Sequence, residues 1–324
     1  MGTLIGVDGG NTKTDLVVLT ADGEPQAYVR GPGSNSHALG ADGCVRVLSR
    51  LAERAGVDAP AEHAAFFLCG ADVPADIAEL TATVSAEPWV RTATVENDTF
   101  ALLRAGTDAP DAVAVICGAG INCVGRAGDG RVARYPSLGW ETGDWGGSEL
   151  VGREALFLAA RAEDGRGEAS VLPELIRAHF GISVAEVGEA VHYRRLRAGR
   201  LGELAPAVVE AAAGGDAVAR MLIERLADEI VLLAVRALRD LRLRGADVVL
   251  GGGMLRDGCG YLFDEVVSRL RRREPGVRPL AASDPPVVGA ALAALDAAGA
   301  PAAAGEVLRA AFRNGLTPDE VDAG

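Results

Sequence analysis

One pattern occurs twice in the chain. Residues 6–29 read GVDGGNTKTDLVVLTADGEPQAYV and residues 115–135 read VICGAGINCVGRAGDGRVARY. Each copy runs strand, glycine hairpin, strand, Asp-Gly hairpin, strand. A pattern present only twice excludes a solenoid and predicts two similar α/β halves. At 324 residues the chain is long enough for two domains and a large core.

The remaining elements follow from period and punctuation. Leu4–Val7, Asp15–Thr20 and Pro25–Arg30 are the first three predicted strands, with a helix over Ala41–Ala55 on the spacing of Val45, Leu48, Leu51 and Ala52. A buried strand at Ala64–Cys69, closed by Gly70-Ala71-Asp72, precedes a helix at Asp76–Val84. Thr92–Val95 is a strand and Thr99–Arg104 a helix. The second copy supplies strands at Asp111–Cys117, Asn122–Arg126 and Arg131–Tyr135. Helices are expected at Gly147–Ala160 and Pro173–His179, and through most of residues 185–245. A strand at Asp247–Leu250 and a helix at Leu262–Arg272 follow. Pro285-Pro286 opens a helix over Val287–Ala298, and the tail from Pro301 holds one more short helix before fraying at its last residues, Asp-Ala-Gly. The expected lobes are 1–112 with 287–324, and 113–286.

Composition removes several function classes. The formal charge of −13 argues against a nucleic-acid partner, which calls for a basic patch. No basic segment precedes a long apolar run, and charge breaks every apolar run short of a membrane span. The five cysteines, at 44, 69, 117, 123 and 259, are widely spaced and form no CxxC. They read as reduced thiols of a cytoplasmic protein, with Cys117 and Cys123 packed in strands rather than ligating a metal.

The glycine loops carry the chemistry. Residues 6–19 contain no G-x-x-x-x-G-K-[ST], and a strand rather than a helix follows the turn, so this is neither a Walker loop nor a dinucleotide fold. Two readings stand: an ordinary hairpin, or a phosphate cradle. In the second, Gly9 and Gly10 let the backbone approach, successive N–H groups bind the anion, and Asn11, Thr12 and Thr14 add donors. Lys13 either contacts phosphate or alternates out to solvent. Asp8 would repel phosphate directly, so its natural role is to hold Mg²⁺, often through water. Gly118-Ala119-Gly120 is the matching hairpin. Gly251-Gly252-Gly253, before Met254, offers a flat backbone to an adenine or ribose. Asp98, after a strand and at the start of a helix, is either an N-cap or the base that takes a proton from a substrate hydroxyl, with Asn97 beside it. The segment Gly139-Trp140-Glu141-Thr142-Gly143-Asp144-Trp145-Gly146-Gly147 offers aromatic faces and carboxylates suited to a sugar; the alternative is a packed loop with Trp140 half buried. Asn35 suits a hydroxyl or amide. His37 reads as a plain loop histidine, and His63, His179 and His192 form no cluster and are assigned no role.

As a set, in this order, the motifs resemble the actin, hexokinase and sugar-kinase superfamily. More narrowly they resemble the family of N-acetylglucosamine kinases and BadF-BadG-BcrA-BcrD ATPases, over residues 4–297. The resemblance implies a two-lobed actin-like ATPase fold, a duplicated ribonuclease H-like α/β unit with ATP in the interlobe cleft. Asp8 to Thr14 match the first phosphate hairpin, and Asn97-Asp98-Thr99 the catalytic motif. Gly118-Ala119-Gly120-Ile121-Asn122 stands where Gly-Thr-Gly-Ser-Asn is usual, so Ala119 lacks a hydroxyl. Gly251 to Gly253 match the adenosine loop. Gly139-Trp140 and Gly143 to Ser148 match the sugar-lining stretch, with Trp145 in place of its Glu, and Asn35 matches the sugar-contacting Asn. The implied activity is MgATP-dependent phosphorylation of the 6-hydroxyl of an amino sugar, N-acetylglucosamine or another hexosamine such as glucosamine. Asp98 is the base, Asn35, Asn97, Asn122, Gly139, Trp140 and Asp144 bind the sugar, and the assembly is a homodimer. The rival readings are an ATPase that activates a CoA-thioester dehydratase or reductase through a shared [4Fe–4S] cluster, and a sugar sensor without catalysis.

Overall fold

The computed structural model describes residues 2–255 and 260–321; Cys259 and the final Asp-Ala-Gly, with its expected fraying, lie outside the described residues. The chain divides into two compact units, Met1–Asp108 with Ala282–Gly324, and Ala109–Ala281.

In the first unit, strands β1 (Thr3–Gly9), β2 (Lys13–Thr20) and β3 (Pro25–Pro32) form an antiparallel meander. Helix α1 (Ser36–Arg54) leads to β4 (His63–Leu68), α2 (Pro74–Ser85) to β5 (Ala93–Asn97), and α3 (Asp98–Gly106) closes this stretch. Strands β4 and β5 add in parallel beside β1. After the second unit the chain returns with α10 (Pro286–Ala297), α11 (Ala302–Arg313) and a two-residue strand β11 (Asp319–Glu320), giving the sheet order β11-β3-β2-β1-β4-β5. Strand β1 is apolar on both faces because both are covered: Ile5 and Val7 face α1 and α2, and Leu4 faces α10 and α11.

The second unit repeats the arrangement. Strands β6 (Ala112–Cys117), β7 (Ile121–Arg126) and β8 (Val132–Arg134) are antiparallel neighbours. Strands β9 (Asp247–Gly251) and β10 (Arg278–Ala281) add in parallel on the far side of β6. The connection carries α4 (Ser148–Glu163), α5 (Leu172–Phe180), α6 (Val184–His192), α7 (Ala205–Ala213) and the long α8 (Ala217–Asp240), and α9 (Gly260–Arg273) joins β9 to β10. The order β10-β9-β6-β7-β8 matches β5-β4-β1-β2-β3 strand for strand. The internal repeat is therefore a repeat of topology, and the mixed α/β fold agrees with the two-lobed expectation.

Boundaries differ from the sequence reading where side chains cap. The first helix begins at Ser36 rather than Ala41 because the Asn35 carboxamide accepts the His37 N–H; Gly40, at φ +70°, breaks the helix near the expected start. Strand β5 extends to Asn97, and α3 starts one residue early at Asp98. Strand β10 was not anticipated; it is four residues long, lies at the sheet edge and contains Pro279.

The final helices fix the first sheet. Eight residues of α10 are buried, among them Val287, Val288, Leu292 and Leu295. Each large apolar side chain so placed contributes about 1.5–3 kcal/mol. Two glycines permit the approach. A Cβ on Gly6 would lie 2.3 Å from the Ala291 nitrogen, and one on Gly289 would lie 1.9 Å from the Ala101 oxygen. Gly-to-Ala inside a helix ordinarily stabilises by about 0.5–1 kcal/mol. At Gly289 the backbone clash outweighs that gain, as overpacking costs about 1–3 kcal/mol. Gly289→Ala is therefore expected to lower the urea midpoint; an unchanged or higher midpoint contradicts the packing described.

Candidate functional site

Strands β1, β4 and β5 run parallel, so their C-terminal ends come together at one edge of the first unit. This edge is where open α/β sheets bind ligands. Asp8 and Gly9 end β1, Asp72 follows β4 after a turn, and Asn97 ends β5 with Asp98 next. Burial first, and then the charges of Asp98, Asp72 and Asp8, push up the pKa of the Cys69 thiol after β4. The three carboxylates are thus near neighbours of one thiol.

The hairpin between β1 and β2 is tight. Gly10 N–H donates to the Lys13 carbonyl at 2.9 Å, leaving Asn11 and Thr12 exposed at the tip. Gly33 is close beneath it, where a Cβ would meet the Asn11 oxygen at 2.1 Å. Two of the expected phosphate donors are engaged elsewhere. The Thr14 hydroxyl is buried and donates to Ser34 Oγ at 2.9 Å. Lys13 Nζ lies 2.9 Å from Asp15, a buried carboxylate also gripped by Arg30 and the Tyr28 hydroxyl. Strand alternation explains both: position 14 faces α1, and positions 13 and 15 face the opposite side. Backbone N–H groups, Asn11 and Thr12 remain as the tip's donors.

Asn35 sits beside this hairpin. Its oxygen accepts the His37 N–H at 2.8 Å and its nitrogen donates to Asn11 Oδ1. The expected sugar contact thereby also ties the glycine hairpin to the start of α1.

Asn97 is the N-cap of α3, its Oδ1 accepting the Thr99 N–H at 2.9 Å. That leaves Asp98 in the first turn with no capping duty, which removes the cap alternative for it. Asp98 is partly buried, and its pKa is raised to about 7 by desolvation first and by the Asp72 charge second, against lowering hydrogen bonds from Thr99. A carboxylate so poised accepts protons near neutral pH. Asp72 also accepts a hydrogen bond from Asn97 Nδ2 at 2.7 Å. Sequence reading treated Asp72 as a turn residue only, because the link from β4 to β5 that gives it a partner is tertiary.

In the second unit, Gly118 N–H closes the β6–β7 turn onto the Gly120 carbonyl at 2.9 Å. The carbonyls of Gly118 and Ala119 take the N–H groups of Ser148 and Glu149 at the start of α4, at 2.7 and 3.1 Å. Gly147, at φ +83°, permits this docking: a Cβ there would lie 2.3 Å from the Ala119 oxygen. The end of β9 is adjacent to this hairpin. Gly252, at φ +91°, presses on the Cys117 backbone, and Gly253 faces open space. Met254 departs from expectation: its side chain is in the core and its N–H bonds the Cys117 carbonyl at 2.9 Å.

The tryptophan segment splits in two. Trp140 lies in a short 3-10 turn, Gly139–Thr142, and is 81% exposed. Trp145 is buried, with the Arg225 guanidinium 4.0 Å from its ring centre. The residue at the departure from the family pattern is therefore a core side chain. Asp144 accepts the Thr142 hydroxyl, and Asn122 accepts the Ser137 hydroxyl at 2.6 Å.

Comparison with known proteins identifies the family. The model of the BadF/BadG/BcrA/BcrD ATPase family matches residues 5–294, and the chain belongs to that family. An N-acetylmuramic acid/N-acetylglucosamine kinase of Clostridium acetobutylicum is 27% identical over 91% of this chain and 98% of its own. Among solved structures, one described as a candidate N-acetylglucosamine kinase from Chromobacterium violaceum superposes with a TM-score of 0.72 at 23% identity, covering 91% and 99% of the two chains. A ROK family glucokinase from Streptomyces griseus, in complex with glucose and AMPPNP, gives 0.59 at 19% identity over 91% and 99%. At these identities the two structures establish the fold.

The raised Asp98 pKa has a stability consequence with a definite sign. A carboxyl whose folded pKa lies above its unfolded value supports the fold at low pH and loses that support as pH rises towards about 7. Asp98→Asn is expected to be more stable than the unaltered protein at pH 8, by up to about 4 kcal/mol, with the gap closing towards pH 4. Urea unfolding at both pH values measures it; no gain at pH 8 contradicts the environment assigned to Asp98.

Proposed function

We propose that this member of the BadF/BadG/BcrA/BcrD ATPase family is an ATP-dependent hexosamine kinase that phosphorylates the sugar 6-hydroxyl, with N-acetylglucosamine the first candidate. The observation that carries the reading is Asp98: a carboxylate in the first turn of α3, raised to about 7, beside the glycine hairpin that ends β1. Asp98 takes the proton of the 6-hydroxyl as that oxygen attacks the γ-phosphorus. The bond from phosphorus to the β,γ-bridging oxygen breaks, and ADP leaves.

The other residues bind and orient. In the first unit, the glycine hairpin Gly9-Gly10 lets phosphate oxygens approach, and Asn11 and Thr12 at its exposed tip supply the donors. Asn35 and Asn97 contact the sugar. In the second unit, Gly118 to Gly120 serve phosphate and Gly251 to Gly253 serve the nucleoside; the open face of Gly253 supports this. The exposed ring of Trp140 stacks on the sugar, and Asp144 and Asn122 accept or donate to its polar groups. Magnesium, when bound, supplies charge neutralisation at the phosphates. Asp8 offers the oxygen donor such an ion prefers. Among the described residues no group of three or more His, Cys, Asp or Glu side chains is arranged to hold a metal.

The net charge of −13 speaks against nucleic acid as a partner, and no helix among the described residues is long and apolar enough to cross a membrane. The same reading places the enzyme in the cytoplasm as a homodimer, and its mass by size-exclusion chromatography reads the assembly. The activator-ATPase alternative is favoured by the family's own description. Against it, Cys44, Cys117 and Cys123 are buried, and burial holds the Cys44 thiol up near 11. Visible absorbance of the purified protein, with ADP release that ignores sugar, would favour that alternative.

ADP release over a panel of N-acetylglucosamine, glucosamine, N-acetylmuramic acid and glucose tests the kinase reading, which fails if no sugar raises turnover above background. Asp98→Asn is expected to lower kcat by about 10²–10⁴-fold, the usual worth of a positioned base, while sugar still binds by calorimetry. Trp140→Ala is expected to raise the sugar KM about tenfold with kcat little changed; an unaltered KM removes Trp140 from the site.

A further inference from the structure

Asp72 is held from both sides. Its Oδ1 accepts the Asn97 amide at 2.7 Å. Its Oδ2 lies 3.8 Å from His37 Nδ1, whose Nε2 is 3.3 Å from Asp76 in α2. The turn that carries it is pinned as well: Ser36 Oγ donates to the Gly70 carbonyl at 3.2 Å, and Gly70, at φ +90°, leaves room for Ser36 and Asn35. Residues from α1, the β4–α2 turn and β5 thus form one chain of contacts, His37 to Asp72 to Asn97, ending at the cap of α3.

We propose that Asp72 is a positioning residue for the phosphoryl transfer, holding the Asn97 side chain so that α3 presents Asp98 in one orientation and supplying the negative charge beside it. The proposal rests on the reading of Asp98 as base. Asn97 uses its oxygen on the Thr99 N–H and its nitrogen on Asp72, so its rotamer and amide orientation are determined by those two partners. The first turn of α3 follows from that cap. The Asp72 charge is the second contributor, after burial, to the raised Asp98 pKa. The ionisable groups around the pair are Asp8 at the end of β1, Cys69 after β4, His37 on α1 and Asp76 on α2. His37 lies between the Asp72 and Asp76 carboxylates.

The test uses the full chain with MgATP and N-acetylglucosamine, or the best sugar of the panel, and follows kcat/KM from pH 5 to 9. Asp72→Asn keeps an acceptor for Asn97 and removes the charge. Its acidic limb is expected to move to lower pH by about half a pH unit, with kcat down about tenfold and the sugar KM within about twofold. Asp72→Glu keeps the charge and changes the reach, so its limb is expected to stay in place while kcat falls. A limb that stays put in Asp72→Asn, or that moves equally in Asp72→Glu, overturns the proposal while leaving the kinase reading intact. Absence of sugar-dependent ADP release by the unaltered protein overturns both. Should Asp72→Asn fail to fold, the Asp72→Glu limb still decides.

Discussion

The close approach of α10 to β1 and α3 is the contact on which the candidate base depends. Helix α10 reaches the backbone of β1 at Gly6 and that of α3 at Gly289, with no side chain between at either point. Strand β1 ends in Asp8, and α3 begins with Asp98. One helix thus sets the spacing between the strand that leads into the glycine hairpin and the helix that carries the candidate base. Close-packed backbone has few alternative arrangements, so small volume changes there are transmitted rather than absorbed.

The electrostatics of this edge follow from topology. Parallel strands finish together, and three of them finish in or lead to acids. Elsewhere in the same sheet, a buried acid is matched: Asp15 has Arg30, Lys13 and the Tyr28 hydroxyl. Asp98 receives instead partial desolvation and a like charge. A matched carboxylate holds structure; an opposed one accepts protons. The contrast between Asp15 and Asp98 separates these roles within one unit, and destabilised charge of the second kind concentrates at functional sites.

The architecture was legible in sequence because the repeat encodes strand order as well as strand content. Hairpin chemistry at Gly9-Gly10 and at Gly118 to Gly120 was legible for the same local reason. Side-chain destinations were less so. Thr14, Lys13 and Met254 carry functional groups of the right kind, yet pleat alternation and core packing send each elsewhere. Trp140 and Trp145 sit five positions apart at most in one glycine-rich segment, and one is exposed while the other is in the core. Asp72 reads as a turn residue and His37 as a loop histidine because their partners come from separate elements, which no local window reveals.

The first unit is discontinuous along the chain: strands β1 to β5 come from residues before 109, and the edge strand β11 and the helix that clamps the sheet from residues after 281. The second unit is one unbroken stretch. During synthesis from the N-terminus, the second unit can complete its sheet and helices while the first still shows the bare face of β1, β2 and β4 to solvent. Leu4, Val17, Leu19, Ala65 and Phe67 stay uncovered until α10 emerges. Helix α10 therefore acts as a closure signal: the edge bearing Asp98 reaches its final form only after the second unit has been made.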